Sequence, residues 1–185
     1  MKVLLIEDSS AFAIPIQQEL AARGHDSTWI VGAQRLENGR IVGIRPNPSA
    51  DPMGDAFDGD DSRLIDINPT EFDIALSDGG LCGPVNDGYQ FVKFLTALNV
   101  PCIAITGGGA GNGRLVEAGA VDGLQKEFVV LALRTGKLNL YQSVRSLATS
   151  LTLKNFCDGL RQQILNKTSG GKKILLGYPI FDRCA

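Results

Sequence analysis

The 185-residue sequence predicts an α/β fold: a doubly wound parallel sheet of five strands, with a β-hairpin insert replacing the second helix and a helical C-terminal extension. Three observations support this prediction. Short apolar runs alternate with segments of helical periodicity along residues 1–128. Residues 32–70 interrupt that alternation with turn and hairpin signals. From Leu140 to Ile164 the apolar residues of a basic tail have helical spacing.

The five predicted strands are short runs rich in β-branched and other apolar residues. They are Lys2–Ile6, Thr28–Val31, Phe72–Leu76, Cys102–Thr106 and Val121–Gln125. The predicted helices have apolar residues at helical spacing and lie at Phe12–Leu20, Tyr89–Leu98 and Asn112–Ala118. Strands that alternate with helices at this spacing form a parallel sheet with helices on both faces.

The insert, residues 32–70, lies where the second helix of such a fold is expected. Gln34–Leu36 and Ile41–Ile44 flank the turn Glu37-Asn38-Gly39-Arg40, which is typical of a β-hairpin. A loop rich in Pro, Asp and Gly follows, and Leu64–Ile67 is predicted to form a further strand.

The charge of the chain is divided unevenly. Residues 1–128 hold 9 Lys and Arg against 18 Asp and Glu, a net −9, whereas residues 129–185 hold 9 against 2, a net +7. This division indicates a boundary near Phe128. We expect one domain over residues 1–150, which includes the last helix of the sheet domain, and a basic extension over residues 151–185.

The tail has more apolar helical positions than one closing helix needs. They are Leu140, Val144, Leu147, Leu151, Phe156, Leu160 and Ile164, and a final strand is predicted within Lys172–Pro179. An uncovered stripe of this kind is costly in water. We therefore expect the residues after Leu151 to pack on a second copy of the chain, as a homodimer through the C-terminal helix, or on the insert hairpin.

Composition argues against several classes of protein. No apolar run approaches the roughly 20 residues that a membrane span needs, so we expect a cytoplasmic protein with no membrane contact. The four cysteines are widely spaced and His25 is the single histidine. A disulfide scaffold or a zinc site is therefore not expected.

Four strand ends carry polar residues with related chemistry. Glu7 and Asp8 follow the first strand, Asp78 the third, Thr106 ends the fourth and Lys126 follows the fifth. Ligands of parallel sheets lie outside the carboxyl ends of the strands. Three carboxylates brought together there repel one another unless a hard cation such as Mg²⁺ neutralises them. The lysine and the hydroxyl are suitable donors to an anion, an arrangement typical of phosphoryl transfer.

The motifs occur in a recognisable order along residues 1–128. They are Ile6-Glu7-Asp8, then Asp78, Asn86-Asp87-Gly88-Tyr89, Ile105-Thr106 and, as a fifth, Glu117-Ala118-Gly119-Ala120 shortly before Leu124-Gln125-Lys126. Together they resemble the receiver domain of two-component response regulators, in the CheY-like superfamily with a flavodoxin-like fold. Five motifs at the correct strand ends make the resemblance specific, although each alone is weak.

The resemblance implies a signalling phosphoacceptor rather than a classical enzyme. It implies that Asp78 accepts a phosphoryl group from a histidine kinase or a phosphotransfer protein. Asp8, Asp78 and the backbone carbonyl of Gly80 would hold Mg²⁺, with Glu7 helping directly or through water. Thr106 and Lys126 would contact the phosphoryl oxygens.

The sequence departs from the family pattern at the fifth strand. Gly123 follows Asp122 near the place where many receivers carry an aromatic switch residue. The usual pairing of a threonine with an aromatic residue therefore looks incomplete, and another readout is expected.

Two other functions are alternatives to a signalling phosphoacceptor. A transcription regulator would use the basic tail on nucleic acid, but helix-turn-helix and aromatic stacking signals are missing. A Mg²⁺-dependent phosphohydrolase would need a second catalytic carboxylate near Asp78, which Gly79-Gly80 does not supply. The glycines of residues 107–113 are interpreted as a flexible loop beside the site rather than a dinucleotide loop.

Overall fold

The computed structural model describes residues 1–49, 51–54, 56, 63–81, 88–143, 159, 174–175 and 178–179. Its helices are α1 (Ser10–Ala22), α2 (Gly88–Ala97), α3 (Gly109–Glu117), α4 (Lys126–Arg134) and the short α5 (Leu140–Ser143). Its strands are β1 (Lys2–Ile6), β2 (Asp26–Ile30), β3 (Gly32–Arg35), β4 (Ile41–Ile44), β5 (Leu64–Ile67), β6 (Ile74–Ser77), β7 (Cys102–Thr106), β8 (Asp122–Gln125), β9 (Ile174–Leu175) and β10 (Tyr178–Pro179).

Five strands form one parallel sheet in the order β2-β1-β6-β7-β8. The pairing places Ile6, the last residue of β1, beside Ser77 of β6, and Thr106 of β7 beside Gln125 of β8. The carboxyl ends of these strands therefore lie along one edge of the sheet. The predicted five-stranded parallel sheet is confirmed.

Helices cover both faces of this sheet, because successive side chains of a strand point to opposite sides. Val3 and Leu5 of β1 pack in a core with α1 and α4, whereas Leu4 and Ile6 pack in a second core with α2 and α3. The central strands are buried on both faces, as all-parallel sheets require. The doubly wound arrangement is confirmed.

Helix α4 runs across the boundary near Phe128 that the charge division indicates. Phe128 is 2% exposed and, with Val129, Ala132 and Leu133, belongs to the core that also contains α1. These four positions have helical spacing, but the sequence prediction placed no helix at them, because it found the helical pattern of the closing part of the 1–150 domain from Leu140 onward. The change in charge thus falls inside a packed helix and does not mark a structural boundary.

The insert forms a small antiparallel sheet in the order β3-β4-β5. The pairing of β3 with β4 lies where the sequence predicts a hairpin. Ala33, Ile41 and Ile67 join the same core as α2. The insert approaches β2 closely at Gly43 of β4, where an added Cβ would lie 2.9 Å from side-chain atoms of both Ile30 and Ile67. The insert is therefore packed against the main sheet rather than projecting from it.

The basic extension falls mostly outside the described residues. Of the predicted helical stripe, only Leu140 is described with its side chain, and it is buried in the core with α1 and α4. β9 and β10 pair antiparallel within the region predicted to form a final strand. The predicted docking of the tail and the homodimer lie outside the described residues. Within those residues, no helix is long and apolar enough to cross a membrane.

Candidate functional site

Three carboxylates meet at the carboxyl edge of the sheet. Glu7 and Asp8 follow β1 directly, and Asp78 follows β6. The backbone N–H of Asp78 donates to the carbonyl of Ile6 at 2.9 Å, which extends the pairing of the two strands up to the acids. One oxygen from each carboxylate lies within 4.8 Å of the others, and all three residues are buried.

Lys126 links two of these carboxylates. Its Nζ lies 2.9 Å from Glu7 Oε1 and 2.9 Å from Asp78 Oδ2. The ammonium group also lies 4.9 Å from the centroid of the Phe12 ring, a cation–π distance. Lys126 is the first residue of α4 and follows β8 without a loop, so the sheet edge and the helix together position it.

Burial dominates the acid–base properties of the cluster. It raises the pKa of Glu7 to about 8, a shift that Lys126 opposes and Asp78 adds to. Burial also raises the pKa of Asp78, with Lys126 and the Gly79 N–H opposing the shift. For Lys126, burial lowers the pKa, but Glu7 and Asp78 outweigh it and the pKa lies above its usual value. The lysine therefore stays charged between Glu7 and Asp78.

The donor set fits a hard divalent cation. Glu7 Oε2 is buried and has no hydrogen-bond partner among the described residues. Asp8 and Asp78 each place a carboxylate oxygen within 4.8 Å of a carboxylate oxygen of Glu7, and oxygen ligands of this kind suit Mg²⁺. Gly80 is exposed two residues beyond Asp78, and its carbonyl ligand remains a prediction.

Trp29 of β2 and two residues of the insert hold the backbone of the acidic segment. Trp29 donates its indole N–H to the carbonyl of Glu7 at 2.7 Å. The backbone N–H of Ala56 donates to the carbonyl of Asp8 at 2.7 Å, and that of Ser10 donates to the carbonyl of Gly54 at 3.0 Å. The sequence prediction missed these contacts, because a backbone hydrogen bond between distant segments leaves no residue pattern.

The turn after Asp78 is crowded by the start of α2. The Gly79 N–H donates to Asp78 Oδ1 at 2.8 Å, which orients the carboxylate. A Cβ at Gly88 would lie 2.2 Å from the carbonyl oxygen of Asp78. A Cβ at Gly79 would lie 2.9 Å from the ring of Tyr89. Gly88, which belongs to the Asn86-Asp87-Gly88-Tyr89 motif, therefore requires glycine, whereas a Cβ at Gly79 would require the Tyr89 ring to shift.

Thr106 ends β7 at the same edge, and its hydrogen bonds connect it to α3. Its hydroxyl lies 2.7 Å from the carbonyl of Gly108 and 3.1 Å from Asn112 Oδ1. The sequence prediction did not single out Asn112. It also interpreted residues 107–113 as a flexible loop, which is wrong, because α3 already begins at Gly109.

Comparison with known proteins places this geometry in a known fold. No family model and no curated protein matches the sequence. Among solved structures, the response regulator ChrA of a heme-sensing two-component system is 17% identical, with a TM-score of 0.50 over 92% of this chain and 68% of that one.

Two other solved structures are similar over most of their own length. The receiver domain of a sensor histidine kinase from Pseudomonas aeruginosa PAO1, with a magnesium ion coordinated in its active site cleft, is 21% identical (TM-score 0.49, 78% of this chain and 98% of that one). A CheY-like receiver domain protein from Methanospirillum hungatei JF-1 is 16% identical (TM-score 0.47, 77% and 94%). The chain has the fold of response-regulator receiver domains.

Proposed function

We propose that this chain is a phosphorylation switch in which Asp78 accepts a phosphoryl group from the phosphohistidine of a histidine kinase or a phosphotransfer protein. The observation that supports this most directly is the position of Lys126, 2.9 Å from both Glu7 and Asp78 at the carboxyl edge of the sheet. A retained positive charge beside a buried carboxylate offers a donor to the anion that the carboxylate would receive.

Asp78 acts as the nucleophile in this proposal. A carboxylate oxygen forms a new bond to phosphorus, the phosphorus–nitrogen bond of the phosphohistidine breaks, and the leaving imidazole takes up a proton. Lys126 remains protonated, because its neighbours raise its pKa, and it donates to a phosphoryl oxygen. Thr106 supplies the second donor from the neighbouring strand end.

Glu7, Asp8, Asp78 and the carbonyl of Gly80 would hold Mg²⁺. When bound, Mg²⁺ would neutralise the carboxylates and the charge that spreads over the transferred group. The buried, unpartnered Glu7 Oε2 supports this assignment, because an isolated carboxylate oxygen without a cation or donor is costly.

The proposed output is a conformational change passed to a partner protein. Phosphorylation and dephosphorylation would be catalysed within the domain, and the chain would not turn over a separate substrate.

The test is mass spectrometry after incubation with acetyl phosphate, with and without Mg²⁺. We expect one phosphoryl group, mapped to Asp78 and dependent on Mg²⁺. Asp78→Asn should abolish labelling and leave the free energy of unfolding equal or higher, because the amide keeps the shape and removes a repelling charge.

Asp73→Asn is the matched control. Asp73 lies just before β6, at the opposite edge of the sheet, and its carboxylate is exposed. Its variant should be labelled like the natural sequence. Stoichiometric labelling of Asp78→Asn, or labelling mapped to Glu7 or Asp8, would contradict the proposal.

A further inference from the structure

The aromatic ring of Phe12 covers one side of the Lys126 ammonium group. Lys126 Nζ lies 4.9 Å from the centroid of the ring, which is within the range of a cation–π contact. On another side, carboxylate oxygens of Glu7 and Asp78 accept hydrogen bonds from the same ammonium at 2.9 Å. The lysine side chain is only 11% exposed. The ammonium therefore has an acidic side and an aromatic side, with little contact with water.

The first turn of α1 determines where this ring lies. The backbone N–H of Ser9 donates to Glu7 Oε1 at 3.1 Å, and the Ser9 carbonyl accepts from the N–H groups of Phe12 and Ala13 at 3.2 and 3.0 Å. The turn that carries the ring thus begins at the acidic segment. Phe12 is partly buried against the core that also contains α4, the helix that begins at Lys126. The packing of α1 on α4 therefore brings the ring to the lysine.

The two sides of the ammonium respond differently to a divalent cation. A cation bound by the carboxylates offsets the negative charge that attracts the lysine, so both ion pairs weaken. Lysine has a flexible four-carbon stem and a strongly hydrated ammonium group, which favours its movement into water once the ion pairs weaken. The aromatic ring attracts the ammonium through its quadrupole, which a cation on the carboxylates does not remove.

We propose that Phe12 is a positioning residue for Lys126: its ring holds the ammonium at the site when Mg²⁺ occupies the carboxylates. The ammonium is then in place to donate to the incoming phosphoryl group. This inference rests on the proposed function, since the phosphoryl oxygens are the acceptors to which Lys126 would donate. An aliphatic side chain at position 12 would cover the same apolar surface but would not attract the ammonium, so the ring matters beyond its volume.

The test compares Phe12→Leu, which keeps an apolar cover without a ring, with Phe12→Tyr, which keeps the ring. At saturating Mg²⁺, the initial rate of Asp78 labelling by acetyl phosphate should fall about two- to tenfold in Phe12→Leu, the effect of one cation–π contact. Phe12→Tyr should restore the rate, because its hydroxyl can reach water from a partly buried position. The matched control is Phe94→Leu, a partly buried aromatic residue on the other face of the sheet, which should be labelled like the natural sequence.

Two further measurements distinguish positioning from damage to the site. In NMR spectra of the Mg²⁺-bound protein, the methylene protons next to the Lys126 ammonium should have an upfield ring-current shift, which Phe12→Tyr keeps and Phe12→Leu loses. Mg²⁺ affinity, measured by calorimetric titration, should be equal or higher in Phe12→Leu, because an ammonium that moves away repels the cation less. A site damaged by the substitution would bind Mg²⁺ more weakly.

Three results would overturn the inference while the proposed function stands. They are an unchanged labelling rate in Phe12→Leu, an equal loss of rate in Phe12→Tyr, and a weakened Mg²⁺ affinity in Phe12→Leu. If the natural sequence takes no label at Asp78, the proposed function fails. The ring-current shift of Lys126 needs no label, and its presence or absence in the Mg²⁺-bound natural protein then decides whether Phe12 holds the ammonium.

Discussion

The two halves of the site are stabilised in different ways. On one side, Glu7, Asp78 and Lys126 form a charged group whose members are buried and joined by ion pairs of 2.9 Å. On the other side, Thr106 and Asn112 form a neutral group whose donors and acceptors are satisfied locally. The charged half has one buried oxygen without a hydrogen-bond partner, Glu7 Oε2.

This difference indicates that the two halves respond differently to Mg²⁺ and to pH. The charged half is costly without a cation, so its stability and pKa values depend on Mg²⁺ and pH. The neutral half is held by hydrogen bonds between uncharged groups. Metal binding and pH should therefore act mainly on the charged half.

Removal of Lys126 tests the charged half most severely. Lys126→Met leaves Glu7 and Asp78 buried without their shared positive charge, and the loss should be about 3–5 kcal/mol in free energy of unfolding at neutral pH without Mg²⁺. Urea denaturation measures it. The control is Lys93→Met, at an exposed position of α2, which should change little. A Lys126 variant as stable as the control would show that the ion pairs contribute nothing.

Mg²⁺ should raise the stability of the protein by mass action. At one hundred times Kd the gain is about 2.7 kcal/mol, or roughly 5–11 °C in Tm for a domain of this size. Asp8→Ala should remove the shift in a thermal melt. An equal shift in both proteins would place the metal elsewhere.

The pH dependence of stability follows from Glu7. Its pKa is about 8 in the folded protein against 4.5 in the unfolded chain. The raised pKa means that the folded state binds the proton more tightly. The stabilisation from this proton is complete below pH 4.5 and is lost as the pH rises through about 8. The raised pKa of Asp78 acts in the same direction.

Melts of the metal-free protein between pH 5 and 9 test this dependence. Tm should fall across the range, the fall should be smaller in Glu7→Gln, and the Mg²⁺-induced shift should grow with pH, because metal and proton compete for the same carboxylate. An unchanged slope in Glu7→Gln would exclude Glu7 as the titrating group.

The smallest expected effect concerns the Trp29 side chain of β2. Trp29→Phe keeps an aromatic ring, although a smaller one, but removes the donor to the Glu7 carbonyl, at a cost of about 0.5–1.5 kcal/mol in free energy of unfolding. Mg²⁺ affinity should also weaken, because the acidic segment loses one of its anchors. Calorimetric titration measures this affinity, and an unchanged value would show that the Trp29 hydrogen bond does not support the site.

Much of the fold was readable from the sequence because it depends on local patterns. The apolar runs of β1 and β7 and the periodicity of α2 specify their own structure, and strand alternation specifies the sheet. Helix α4 was missed because it follows β8 without a loop, so no turn residue separates the two patterns. The start of α3 was missed because glycine has poor helix propensity, and packing against β7 and β8 outweighs it.

The sequence by itself determined which polar residues stand at the strand ends, because each directly follows an apolar run. Only the tertiary structure decided which of them touch: Lys126 reaches Glu7 and Asp78, whereas Thr106 is held by Asn112. It also decided that Trp29 of β2 and Ala56 of the insert anchor the acidic segment. The physical reason is that these contacts join residues far apart in the chain, so their partners are chosen by how the layers pack and not by any local pattern of residues.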